Sequence, residues 1–275
     1  MDTIQTLLGD VQIDSAFNDG LDRAQLERLT PAAYTTAPHA KLSTRYAFLP
    51  TSSVIETMST AGFNVVQAAQ SRSRKQQPEF ACHALRFRKA KSAVFIGEVV
   101  PEILILNSHD GTSAYQVRIA LFRAICGNGM IVSDTAFPCW RVPHRGSAPM
   151  EVLEAALRLS DHFGEVSAVI DRMRHFPLDE EQRLEFASDA LAIRYPDEPV
   201  GHAVSPAELL VARRPEDEGT DLWHTLNVVQ EYLLRGGARR ITATKRQVRM
   251  RGIGAIREGV RLNTALWERA MVELA

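Results

Sequence analysis

The sequence predicts an α+β protein, with a mostly antiparallel sheet and one packed helix in its N-terminal half and helices in its C-terminal half. Three observations support this prediction. Two apolar runs, 98–106 and 115–122, flank the tight-turn dipeptide Asp110-Gly111 and therefore favour a hairpin. Residues 81–88 alternate apolar and basic side chains with the period of a strand. After Pro149 the apolar residues recur at helical spacing instead.

Length and composition indicate a soluble globular chain. With 275 residues, 45% of them hydrophobic, it can bury one large core or two modest ones. We expect residues 1–40 to be loosely ordered, 41–149 to carry the sheet, and 150–275 to be helical, the whole forming one compact unit. The chain has no membrane-spanning apolar run and no secretory start, and its three cysteines lack paired spacing. These features favour a cytoplasmic protein with reduced thiols.

The N-terminal half is predicted element by element. A short helix is expected around 22–29 and a short strand at 46–49. Thr51-Ser52-Ser53 offers a cap for a helix that Gly62 ends, and 63–69 is the next strand. Residues 71–78 form a polar basic loop before the alternating strand 81–88, whose Arg86 and Arg88 are predicted on the solvent face.

The turn between the two apolar runs displays the most reactive side chains of this half. His109 and Asp110 are predicted at the hairpin tip, where functional side chains are usually presented. Gly127-Asn128-Gly129 lacks the lysine and the spacing of a phosphate loop and is predicted to be a turn. A proline-rich stretch, 138–149, then separates the two halves.

The C-terminal half is predicted as a series of helices. The first spans 151–176 with a kink near Gly164, and Asp179 with Gln182 caps the second. Ser205-Pro206 starts a short helix to Arg214, and 221–234 forms a helix that ends at Gly236-Gly237. Residues 239–261 are expected to be a loop or mobile arm, and Asn263 to cap a closing helix. Trp223 and Trp267 are predicted core residues.

Basic residues are concentrated in two segments. Residues 235–261 contain nine Lys and Arg against Glu258 alone, and residues 72–91 are also basic, whereas 151–221 is acidic. Arginine suits phosphate because its planar fork binds bidentately. We therefore expect the partner to be a nucleic acid, with single-stranded DNA preferred. The candidate contacts are Arg72, Arg74, Arg86, Arg88, Arg123, Arg235, Arg239, Arg240, Lys245, Arg246, Arg249 and Arg251.

Base stacking is the second part of this hypothesis. Phe80, Phe87 and Tyr115 lie near the basic residues in sequence and could stack bases without sequence preference. The alternative for Phe87 and Tyr115 is a place in the core. The alternative for the charges is internal pairing with the acidic helices.

Two further functions stay open. His83, His109 and Asp110, with Cys126, are candidates for a hydrolase or metal-assisted enzyme, because histidine beside a carboxylate can act as a general base. No metal-ligand spacing is present, so no metal or cofactor is expected. A histidine at a hairpin tip is most often a structural hydrogen-bonding residue, and Asp110 would then serve the turn. A protein-binding antagonist of host defence would use the polar helix face His224, Asn227, Gln230 and Glu231. Self-association into a homo-oligomer also stays open.

Several motifs together resemble one family, the plasmid- and prophage-borne proteins described as domain of unknown function 932. The matching segments are 38–43 (PHAKLS), 80–88 (FACHALRFR), 101–115 with its NSHDGTSAY core, 121–123 with 126–129, 213–217 (RRPED), 221–223, 227–237, and 260–263 with 266–267. The resemblance implies a gene carried by mobile elements, with a role in their maintenance, transfer or defence evasion. The order of elements is also similar to that of the single-strand annealing recombinases of phages, which implies a role in recombination.

Overall fold

The computed structural model describes residues 20–42, 46–71, 77–89, 99–123, 128–132, 136–197, 204–241 and 246–275. Backbone contacts divide the chain into two compact units, a first that ends at Phe163 and a second that begins at Gly164. Strands predominate in the first unit and helices in the second, so the predicted α+β class is confirmed. That the halves form one compact unit stays a prediction.

Unit 1 is built on an antiparallel sheet. Its strands are β1 (Phe63–Gln70), β2 (His83–Lys89), β3 (Val99–Asn107), β4 (Tyr115–Arg123), β5 (Asn128–Val132) and β6 (Trp140–Val142). The first five lie side by side in chain order, and β6 pairs with β4 beyond the end of β5. The hairpin predicted around Asp110-Gly111 joins β3 to β4, and Gly111 has the positive φ of 78° that such a turn requires.

Three helices complete the described part of unit 1: α1 (Arg23–Leu29), α2 (Thr51–Thr60) and α3 (Ala148–Asp161). Asp22 caps α1 through a reciprocal bond with Gln25. Helix α3, which the sequence analysis grouped with the helical half, packs on β3, β4 and β6, and this packing is why unit 1 extends to Phe163. The strand predicted at 46–49 does not form.

Unit 2 contains four helices and a small hairpin among its described residues. The helices are α4 (Phe163–Arg174), α5 (Glu180–Arg194), α6 (Leu222–Arg235) and α7 (Ile256–Glu273), and the hairpin strands are β7 (Gly236–Ile241) and β8 (Gln247–Arg251). Asp179 caps α5 through Gln182 as predicted. Trp223 and Trp267 are buried, as predicted for core residues.

Three predictions of secondary structure in unit 2 were wrong. The basic segment is a hairpin followed by the start of a helix and not a loose arm, because its alternate residues bury one face of the ribbon. Asn263 lies inside α7, where it is buried and bonded to Gln230, and caps nothing. The segment after Ser205 is a 3₁₀ turn, Pro206–Leu210, without a side-chain cap.

No described helix is both long and apolar enough to cross a membrane.

Candidate functional site

The two arginines predicted on a solvent face lie inside unit 1. Arg86 and Arg88 are 3% and 6% exposed, and both contact Glu102 of β3, which is 1% exposed. Nε of Arg86 lies 2.8 Å from one carboxylate oxygen, and an Nη of Arg88 lies 2.6 Å from the other. The predicted exposure was wrong because the residues of β2 and β3 are buried on both faces of the sheet.

The Arg86 guanidinium fills a closely fitted position. It donates to the carbonyl oxygen of Leu121 at 2.9 Å, and a Cβ added at Gly129 would lie only 2.0 Å from its Nη1. Burial lowers the pKa of Arg86, and the Glu102 carboxylate opposes that shift. Neighbouring Arg123 is buried as well. These three arginines therefore do not reach the surface that a polyanion would contact.

In the first basic segment, residues 72–91, none of the arginines that the structure describes is exposed. Arg72 and Arg74 lie outside the described residues, as do Lys245 and Cys126. The predicted stacking residues Phe87 and Tyr115 are fully buried, and Phe80 is half-buried with its ring edge-on to His39. The described part of unit 1 therefore lacks the cationic and aromatic surface that the single-strand hypothesis placed there.

Three histidines that are far apart in sequence meet at one end of the sheet. The ring centroids of His83 and His109 are 5.5 Å apart, and those of His109 and His144 are 6.0 Å apart. Three more aromatic rings contact them. The six residues of this histidine cluster are Tyr46, Phe48, His83, His109, Tyr115 and His144.

Thr51, the first residue of α2, lies at the centre of the cluster. Its hydroxyl oxygen is 2.9 Å from Nε2 of His83, 3.2 Å from Nε2 of His109 and 3.0 Å from the amide nitrogen of Asn107. The antiparallel register opposes His83 to Asn107, and the hairpin turn brings His109 back toward the same point. Two of the family-like motifs and the start of a helix therefore converge on one hydroxyl.

The bonding pattern fixes the protons of the buried histidines. Nδ1 of His83 faces the carbonyl oxygen of Ala81 at 3.0 Å and must carry the hydrogen, so its Nε2 accepts from Thr51. The threonine hydroxyl has then used its one hydrogen, and Nε2 of His109 must donate to it. Nδ1 of His109 is left as a buried acceptor with no hydrogen-bond partner in the described part of the chain.

Burial keeps this cluster neutral. It lowers the pKa of His83 to about 4 and that of His109 to about 3, the latter helped by the neighbouring histidines. Desolvation also lowers the pKa of His144 and raises that of Tyr46 to about 12. All three histidines are therefore uncharged at neutral pH.

His109 and Asp110 do sit at the hairpin tip, but the tip does not display the histidine. His109 is fully buried. One oxygen of Asp110 accepts from the Ser108 hydroxyl and from both the backbone and the hydroxyl of Thr112, which is the bonding of a turn. Among the described residues no group of three or more His, Cys, Asp or Glu could hold a metal ion. The hydrolase alternative stays a hypothesis, supported by the unpartnered Nδ1.

The helix face predicted to serve a protein-binding antagonist is also mostly buried. Asn227, Gln230 and Glu231 of α6 are buried, so their predicted exposure was wrong. The Glu231 carboxylate binds three arginines: an Nη of Arg214 at 2.6 Å, an Nη of Arg235 at 3.4 Å and an Nη of Arg213 at 3.6 Å. This glutamate network joins the RRPED motif, α6 and the start of β7.

Among the described candidate contacts for nucleic acid, the exposed arginines lie on or beside the hairpin of unit 2. Its register opposes Arg239 to Arg249 and Ile241 to Gln247. Along β8 exposed and covered residues alternate, and Arg251 falls on the same side as Arg249. The hairpin face consists of Arg239, Ile241, Gln247, Arg249 and Arg251, all exposed, and the side chains of Ala238, Arg240, Val248 and Met250 point to the covered side.

The hairpin face is positively charged, and nearby carboxylates compensate this charge only in part. The Arg239 side chain, 78% exposed, lies 3.5 Å from Glu208, whereas neither Arg249 nor Arg251 forms an ion pair with any described residue. Arg240 stacks over Tyr195 at 5.1 Å, and Arg246 is exposed just before β8. Of the twelve candidate contacts, the structure gathers four exposed arginines here: Arg239, Arg246, Arg249 and Arg251.

Comparison with known proteins bears on the family that the motifs suggested. The family model described as Domain of unknown function (DUF932) matches residues 38–267. The UPF0380 proteins YfjQ and YafZ of Escherichia coli (strain K12) are each 35% identical over 248 residues, which cover 90% of this chain and 89% of each relative. No solved structure matches it. The chain therefore belongs to the DUF932 family.

Proposed function

We propose that this protein binds nucleic acid through the hairpin face of unit 2. The observation that carries the proposal is the cross-strand pair Arg239 and Arg249, with Arg251 beside it, on an exposed ribbon where Arg249 and Arg251 form no ion pair with a described residue. Guanidinium groups in such an array fit the phosphate oxygens of a polyanion.

The cross-strand pair is unfavourable without a ligand. Directly opposed side chains of an antiparallel pair have Cβ atoms about 5 Å apart, and like charges at that spacing destabilise the ribbon. Glu208 offsets the charge of Arg239, but Arg249 opposite it forms no ion pair with a described residue. An anion bound between them removes the repulsion, so these residues support a ligand-binding role better than a structural one.

The ribbon is also held in place, as a binding surface must be. Arg213 of the glutamate network donates to the carbonyl oxygen of Gly236, the first residue of β7, at 2.6 Å. At Gly236 the φ of 78° leads the chain directly from α6 into the strand. The base of the hairpin is therefore tied to the helix behind it, so binding does not have to order this part of the backbone.

The proposed role follows the family resemblance. A gene carried by plasmids and prophages suits a protein that acts on the nucleic acid of the mobile element, in its recombination or stability. The stacking residues on which a single-strand preference rested are buried or half-buried, so the proposal rests on phosphate contacts.

The test is binding to labelled oligonucleotides over a salt series. We expect the affinity of the full chain to fall steeply with salt, and the Arg239→Gln/Arg249→Gln variant to reduce the slope of log K against log salt by about 2. Arg23→Gln is the matched control, because Arg23 in unit 1 is 77% exposed and has a glutamate partner as Arg239 does. It should leave the slope unchanged.

Absence of binding to single-stranded DNA, duplex DNA and RNA at low salt would rule the proposal out. So would a control variant that weakens binding as much as the hairpin variant, because the contacts would then not be local to the hairpin face.

A further inference from the structure

We infer that the hairpin face enters the major groove of duplex DNA and contacts A·T base pairs through Gln247 and Ile241. This inference rests on the proposed function and adds the kind of nucleic acid and the bases that are recognised. It is carried by the two residues of the hairpin face that are not arginines.

Gln247 and Ile241 form an opposed pair at the tip end of the ribbon. They are partners in the antiparallel register, two residues beyond the Arg239 and Arg249 pair. Ile241 is 53% exposed, one of few large apolar side chains on the described surface, and the Gln247 amide has no hydrogen-bond partner among the described residues. Neither side chain contributes to the core, so both are free to contact a ligand.

The dimensions of the ribbon suit a groove. Two paired strands lie about 4.8 Å apart, and a two-stranded ribbon fits the major groove of B-DNA, which is about 12 Å wide. A groove is lined by phosphates on both sides and by base edges at its floor. The hairpin face has the same division, with arginines toward its base and an amide beside an apolar side chain at its tip.

A single strand is a poorer fit for the same face. Sequence-tolerant single-strand binding depends on aromatic side chains on which bases stack. The described strands, Gly236–Ile241 and Gln247–Arg251, contain no aromatic residue. The polar chemistry of the tip is that of base edges and not of base faces.

The chemistry of the tip selects one base pair. A glutamine amide can donate to N7 or accept from N6 of adenine, and the bidentate pairing of Gln with adenine uses both atoms. An apolar side chain contacts the C5 methyl group of thymine, which cytosine lacks. Gln247 and Ile241 together therefore match the major-groove edge of an A·T pair, whereas at guanine the same bidentate pose would set the amide oxygen against the O6 acceptor.

The experiment measures binding of the full chain to one set of 20-bp duplexes and to their separated strands. We expect the duplex with A·T pairs to bind about tenfold more tightly than either strand and than a G·C duplex. Replacing thymine by uracil removes the methyl group and should weaken wild type several-fold while leaving Ile241→Ala unaffected. Replacing adenine by 7-deazaadenine removes N7 and should weaken wild type while leaving Gln247→Ala unaffected.

Val272→Ala is the control for the apolar truncation, because Val272 is exposed on α7, outside the hairpin. It should keep the full response to both base analogues. Equal affinity for duplex and single strands, or a wild-type response to neither analogue, overturns the inference. If the arginine variants still reduce the salt slope in that case, the proposed function stands without it.

Discussion

Removing the carboxylate of Glu102 is the sharpest test of the interior of unit 1. Glu102 is 1% exposed and forms ion pairs with two guanidinium groups that are themselves buried, Arg86 and Arg88. The Glu102→Gln variant keeps the size of the side chain but leaves both positive charges without this carboxylate. Breaking a buried ion pair by removing one partner costs about 3 to 5 kcal/mol, because the remaining charge stays desolvated.

Such a loss is large beside a total stability of about 5 to 15 kcal/mol. With a urea dependence of about 1 to 3 kcal/mol per molar, the midpoint should fall by at least about 1 M. Urea unfolding followed by circular dichroism measures it, and hydrogen exchange of β2 and β3 shows that unit 1 is the part affected.

The matched control is Glu154→Gln. Glu154 binds Arg158 at 2.6 Å, but these side chains are 60% and 59% exposed, so its loss should cost under about 0.5 kcal/mol. If Glu102→Gln cost no more than Glu154→Gln, the arginines would not depend on this carboxylate, and the account of the sheet interior would be refuted.

Two further predictions concern the histidine cluster. The folded pKa values of His83 and His109, about 4 and about 3, lie below the unfolded value near 6.5, so protonation favours the unfolded chain. The free energy of unfolding should be highest above pH 6.5 and should fall toward pH 4 by about 1.4 kcal/mol per pH unit for each histidine. In urea titrations, the His109→Gln variant should show a dependence of this free energy on pH that is smaller by about one proton than in wild type. An unchanged dependence on pH would contradict the prediction. The Thr51→Val variant removes the hydroxyl that the cluster shares and should lower the free energy of unfolding, measured by thermal unfolding, by about 2 to 4 kcal/mol. The control Thr60→Val, at the exposed end of the same helix, should lower it by under about 0.5 kcal/mol. Equal effects would show that the Thr51 hydroxyl is not central to the cluster.

The burial of Arg86 and Arg88 could not be predicted from the alternation of residues within β2 alone. Alternation of arginine with apolar residues is typical of a strand with one solvent face, and that interpretation was wrong for β2. A signal for the correct placement was present. Glu102 is the one charged residue in the apolar run of β3, and a charge in a buried strand needs an opposite charge beside it. Antiparallel pairing of β2 with β3 supplies that charge.

Short-range signals were more reliable than long-range ones. The capping pair at Asp179 and Gln182 and the turn at Gly111 were predicted correctly, because both depend on residues a few positions apart. His83 and His109 were grouped as candidates and do lie together, but Thr51 and His144 were not predicted to join them. The four residues span nearly a hundred positions, and no local spacing relates them. Which strands pair, and in which register, decides that they meet.

The basic hairpin shows how the same residues support opposite predictions. Gly252 belongs to the segment predicted to be a loop or mobile arm, yet a Cβ at Gly252 would lie 2.9 Å from the carbonyl oxygen of Arg235. Glycine fits there because the end of α6 passes too close for a side chain, which is the opposite of a loose arm. A loose arm would have to be ordered when it gathers its charges on a ligand, and that ordering opposes binding. In the hairpin the register already holds Arg239 and Arg249 side by side, so their repulsion is present before any ligand arrives, and relief of that repulsion favours the bound state.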